Sequence, residues 1–187
     1  MIRYFLVLAV TGGSLLLANF VLGWFAADEV RGPHAVWHGI HLLFSLFTVV
    51  CLLGIHSIVY TYFMATAKWA KEVVHVYQLP EWFVAHAMRN KRRNFRFIMG
   101  SMTAIAITAW LGAAADTADT QPREAVYALW HLVAASLAIA FNLGSFVVEY
   151  GGIVTHHRLL LELKSQADQL REARYGAGSA AGAPVET

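Results

Sequence analysis

Residues 35–64 read AVWHGIHLLFSLFTVVCLLGIHSIVYTYFM. The stretch holds no Lys, Arg, Asp or Glu, and it exceeds the roughly 20 residues an α-helix needs to cross a bilayer core. Its polar residues follow a line. At about 100° per residue, His34, His41, Ser45, Val49, Leu52, His56 and Tyr60 all fall within about 60° of His38. A second stretch, 125–155, carries the same Trp-His pair as Trp130-His131. Glu124, Tyr127, Ala134, Ala135, Ala138, Asn142, Ser145, Glu149, Gly152 and His156 share the line of His131. Lipid offers no partner to an imidazole or a carboxylate, so both stripes are expected to face protein, a cofactor or water.

Outward from these stripes, the composition fits a membrane protein. Of 187 residues, 58% are hydrophobic and 14% charged, and the charges gather in a few intervals. Four stretches are long and apolar enough to span a bilayer, about 4–26, 35–64, 96–115 and 125–155. The first follows Arg3 as a signal peptide would. Its apolar run is too long for one and has a bulky Phe25 before Ala26-Ala27, so it reads as an uncleaved span. Of the 14 Lys and Arg, only Arg31 and Arg123 lie in the connections after the first and third spans. The positive-inside rule therefore predicts that both termini and the 65–95 linker are cytoplasmic.

The predicted architecture is all-α: a polytopic four-helix bundle of two hairpins in the same orientation, N-in and C-in, with residues 1–175 as one membrane domain. Gly32-Pro33 and Gln121-Pro122 read as starts of the second and fourth helices, since proline is tolerated in a first turn. Ala67, Ala70, Val74 and Tyr77 carry the second helix past the membrane until Pro80 ends it. A cytoplasmic helix over 158–174, with Leu160, Leu163, Ala167 and Leu170 in an a/d pattern, is expected to pack on that extension. The Gly/Ala/Ser-rich stretch 176–187 predicts a disordered tail. Thr11, Gly12, Gly13, Ala18 and Gly23 in the first span, and Gly100, Ser101, Ala104 and Gly112 in the third, are small residues suited to close helix packing. Asn19 is the one strongly polar group of the first span and is placed to bond across the bundle.

Several function classes drop out. A lone Cys51 rules out an intrachain disulfide framework, and no P-loop, GxGxxG, HExxH or CxxC pattern occurs. Arg89, Lys91, Arg92, Arg93 and Arg96 read as a topology determinant against anionic headgroups, not as a nucleic-acid site. No nucleic-acid partner is expected.

What remains is the chemistry of the stripes. A b-type haem needs two histidines at one level on facing helices, with small residues making room for the macrocycle. His38 and His131 meet that description, with Ala134, Ala135 and Ala138 beside them and His41 competing as axial ligand. The H-x3-H-x2-H run His34, His38 and His41, completed by His131 or Glu124, is the alternative, a zinc, copper or iron site. About five helical turns further along, and about 27 Å lower, His56 and Glu149 form a second polar level suited to proton or quinone chemistry. His156, His157 and Arg158 mark where the last helix leaves the lipid.

The leading expectation is a bacterial plasma-membrane electron-transfer protein, working with other membrane subunits or a second copy and with a quinone as a possible partner. The alternatives are a proton or ion carrier using the same stripe, and a silent assembly subunit with no cofactor.

Overall fold

The computed structural model describes residues 1–28, 36–118 and 121–180. Every element in them is a helix: α1 (Ile2–Asp28), α2 (Val36–Tyr77), α3 (Trp82–Asp116) and α4 (Gln121–Ala180). Each is long and apolar enough to cross a membrane. The end where α1 gives way to α2, and α3 to α4, is taken here as the top.

Proline marks the break between α2 and α3. α2 stops in a Schellman turn in which Leu79 N–H bonds Val74 O at 3.0 Å and Gln78 takes φ 53°. Leu79 folds back onto the cluster that holds Val74, and Pro80 follows. α3 then starts at Trp82, well before the apolar stretch at 96–115 that predicts the third span. The 65–95 linker is therefore the last turns of α2, a tight turn and the first turns of α3. No proline separates Trp82 from Asp116, so the charged 89–96 segment continues the helix that becomes the span. α4 has 60 residues, about 90 Å of helix against a bilayer core of about 30 Å, so it extends far below the span. It is described into the 176–187 stretch, as far as Ala180, and residues 181–187 lie outside the described residues.

α1 and α3 each pack on both α2 and α4, while α2 and α4 meet across the middle. The small residues serve these contacts. Gly12 of α1 lies against Leu52, Ile55 and Phe146, and Gly100 of α3 against Phe141. Asn19 does bond across the bundle, accepting from Ser45 Oγ at 2.9 Å. A membrane core of Phe5, Leu52, Val59, Phe63, Ile98 and Phe146 gives way below to a second cluster of Ala67, Ala70, Val74, Phe83, Leu159 and Leu163. The end of α2 and the lower part of α4 thus pack together, as predicted. The buried positions of α4 there are Leu159, Leu163 and Ala167, whereas Leu170 is exposed.

Polarity is inverted relative to a water-soluble bundle. Leu43 is 70% and Val147 73% exposed, while His56, Asn94, Asn142, Glu149 and His156 are fully buried. Such a surface is stable against lipid, and its interior must satisfy its own polar groups.

Candidate functional site

The polar stripes of α2 and α4 meet at two levels. At the upper level the residue facing His131 is His41, not His38. The two rings lie 6.4 Å apart between centroids, at 70° to each other. His131 Nδ1 is 2.9 Å from Thr108 O. A carbonyl only accepts, so Nδ1 carries the hydrogen and Nε2 of the neutral ring keeps its lone pair. His41 Nδ1 is buried and has no hydrogen-bond partner.

Both rings lean on glycines. A Cβ at Gly112 of α3 would stand 2.9 Å from His131 Cε1, and one at Gly23 of α1 would stand 3.3 Å from His41 Cε1. His38, one turn higher, turns to the rim, where its Nε2 lies 3.1 Å from Asp116 Oδ1. His34 lies outside the described residues. Among the described residues, no group of three His, Cys, Asp or Glu side chains is arranged to hold a metal ion. The three-ligand zinc, copper or iron site therefore gains no support.

The lower level is built differently. His56 Nδ1 is 2.9 Å from Glu149 Oε1, and His56 Nε2 is 3.0 Å from Asn142 Oδ1. The Asn142 amide is fixed in turn, because its Nδ2 donates to Ala138 O at 2.7 Å. Oδ1 can then only accept, so His56 Nε2 must carry a hydrogen. A second proton lies between Nδ1 and the carboxyl of Glu149. Imidazolium with carboxylate and imidazole with carboxylic acid are two placements of that one proton, and both are neutral overall. Phe146 stacks on the His56 ring, with 5.3 Å between centroids and 16° between planes. Asn142, Phe146 and Glu149 project from successive turns of α4 onto one side chain of α2.

Further polar groups continue below. Thr66 Oγ1 donates to Tyr62 O at 2.6 Å, so it accepts from His156 Nε2 at 2.8 Å. Asn90 donates to Gly152 O at 2.8 Å, and the buried Asn94 amide fills the space above Gly152. Several buried atoms have no partner: Glu149 Oε2, Ser145 Oγ, Tyr62 hydroxyl, Asn94 Oδ1 and His156 Nδ1.

The sequence places His41, His131, His56, Glu149 and Asn142 on the right stripes. It gives no sign of the Thr108 carbonyl, because any helical residue has one. Asp116 belongs to the third span's edge, and only the packing of α3 against α2 brings it to His38. No protein-family profile, characterised protein or solved structure matches this chain.

Proposed function

We infer that this chain is a membrane electron-transfer protein that holds one b-type haem between α2 and α4 at the upper level. His41 and His131 would hold it, with His38 at the rim. The observation that carries this reading is the opposed pair of rings. Their 6.4 Å separation is a distance at which both imidazoles could hold one haem iron. Aromatic edge contacts span the same range, but they do not require spare nitrogens, and both rings have one. The bond from His131 Nδ1 to a backbone carbonyl is the second contact that orients metal-bound histidines. Gly23 and Gly112 lie against the two rings and leave space beside them.

The haem would supply one-electron chemistry. The chain's residues would orient it, exclude water and, at His56 and Glu149, hold a proton that a quinol step could use. The two hairpins run the same way, with the termini in the cytoplasm of a bacterial plasma membrane, so the haem lies toward the outer face. Such a subunit would pass electrons to other membrane subunits or to a second copy.

The deciding experiment is a reduced-minus-oxidised absorption spectrum of protein expressed with ample haem. A b-type spectrum that His41→Ala or His131→Ala abolishes, and His38→Ala leaves in place, is expected. Colourless protein would sink the reading.

A second reading, a proton carrier, is favoured by the row of unpartnered buried atoms below Glu149. Glu149→Gln separates it, because the amide can donate to His56 Nδ1 and keep the geometry while removing the shared proton. Haem-free liposomes that take up protons through the wild type but not through Glu149→Gln would establish the carrier. An assembly subunit would show neither activity and would co-purify with a complex.

A further inference from the structure

The turns of α3 between Arg89 and Arg96 have two different faces. Inward, Asn90 and Asn94 support Gly152 beneath Glu149. Outward, Arg89, Arg92, Arg93 and Arg96 recur at i, i+3, i+4 and i+7, which is a single stripe. With Ala85, Met88 and Phe97 they line an open cleft of about 640 Å³. All four arginines are exposed. Among the described residues, none of the ion pairs engages any of them.

Four guanidinium groups within two helical turns repel one another, so the cleft is incomplete without negative charge. Its level narrows the choice of anion. Immediately above it α3 becomes the apolar span, and Phe97 stands at the upper end of the cleft. Lipid phosphates lie at that depth, and Phe97 can meet the glycerol and first acyl carbons. A guanidinium fork matches two phosphate oxygens at once. A zwitterionic lipid brings its own ammonium and neutralises nothing, whereas an anionic lipid leaves net negative charge in the cleft.

We propose that this cleft is a binding site for an anionic phospholipid, held through its phosphate by Arg89, Arg92, Arg93 and Arg96. The site is independent of whether haem binds at the upper level. The test uses the full chain in neutral detergent, titrated with phosphatidylglycerol or phosphatidylcholine and read by native mass spectrometry.

Wild-type protein is expected to bind phosphatidylglycerol at least about ten-fold more tightly than phosphatidylcholine. Removing two charges in Arg92→Gln/Arg93→Gln should weaken phosphatidylglycerol about thirty-fold. The charge-matched control Arg171→Gln/Arg174→Gln should leave it unchanged. Equal binding of the two lipids by the wild type overturns the proposal, and that comparison needs no variant to fold. Equal loss in the control pair, displacement by inorganic phosphate at the same concentration, or preference for a single-stranded oligonucleotide would overturn it as well.

Discussion

The upper and lower levels use the same residue types on the same two helices, yet one is closed and the other open. At the lower level His56, Asn142 and Glu149 are fully buried, and both nitrogens of His56 are bonded. At the upper level, among the described residues, α2 has no buried position before Thr48 and α4 none before Ala138. His38 and Asp116 keep 31% and 26% of their side-chain surface. A site whose polar atoms are all committed to one another holds a fold together. Paired imidazoles with nitrogens to spare, and glycine at their backs, are a place where something else can bind. The lower level does leave Glu149 Oε2 uncommitted.

If the contrast holds, stability and spectrum should respond at opposite ends of the bundle. The largest loss of stability is expected from Glu149→Ala, which strands the buried His56 beside an emptied site. Breaking one side of a buried pair costs about 3–5 kcal/mol. His56→Leu/Glu149→Leu should cost less than the sum of the single changes, since it removes both polar groups together. His41→Ala, in the open half, should cost about 1 kcal/mol. Denaturant unfolding in a fixed detergent orders these variants. Equal losses from His41→Ala and Glu149→Ala would erase the distinction between the levels.

Gly152→Ala and Gly112→Ala sharpen the comparison, because each adds one methyl group at one level. At Gly152 the new Cβ overlaps the buried Asn94 amide, which has no room to withdraw. A cost of about 1–3 kcal/mol is expected, with no change in any haem spectrum. At Gly112 the methyl stands 2.9 Å from His131 Cε1 and pushes the ring off Thr108 O. The open walls let the ring move, so melting should change little. On the haem reading, loss of the bond that orients His131 costs about 10- to 100-fold in affinity, and haem occupancy should fall accordingly. A Gly112→Ala protein that melts early yet keeps full haem occupancy would reverse the assignment of roles.

What was legible in the sequence follows what a helical period can carry. Hydropathy marks the four membrane-crossing helices, and azimuth puts His56 and Glu149 on facing stripes at one depth. Azimuth does not decide between His38 and His41. The two lie about 60° apart within one stripe, and the choice depends on Asp116 arriving from α3 to take His38. The start of α3 was hidden for a related reason: apolar content marks where lipid begins, while the helix begins wherever Pro80 permits. In lower α4 the a/d template picks Leu160, Leu163, Ala167 and Leu170. Leu160 packs at the edge of the cluster and Leu170 is exposed, and the buried positions are Leu159, Leu163 and Ala167. These recur every four residues and follow the ridge that meets Ala67 and Ala70, a contact no single-helix pattern contains.

The smallest expected effect lies outside both levels and so calibrates them. Gln78 ends α2 with φ 53°, a conformation that a residue with a Cβ adopts at a cost of about 1–2 kcal/mol. It recovers part of that cost because its Nε2 donates to His75 O at 2.7 Å. Gln78→Gly removes the steric cost and the hydrogen bond together, and it adds flexibility to the unfolded chain. A net gain of about 0.5 kcal/mol is expected. Unfolding should shift upward by that amount, with His56, Glu149 and any haem spectrum untouched, because the turn packs on the lower cluster of Val74 and Phe83. A spectral change in this variant would mean that the 78–81 turn is coupled through α2 to the upper histidines. The two levels could then not be treated as independent.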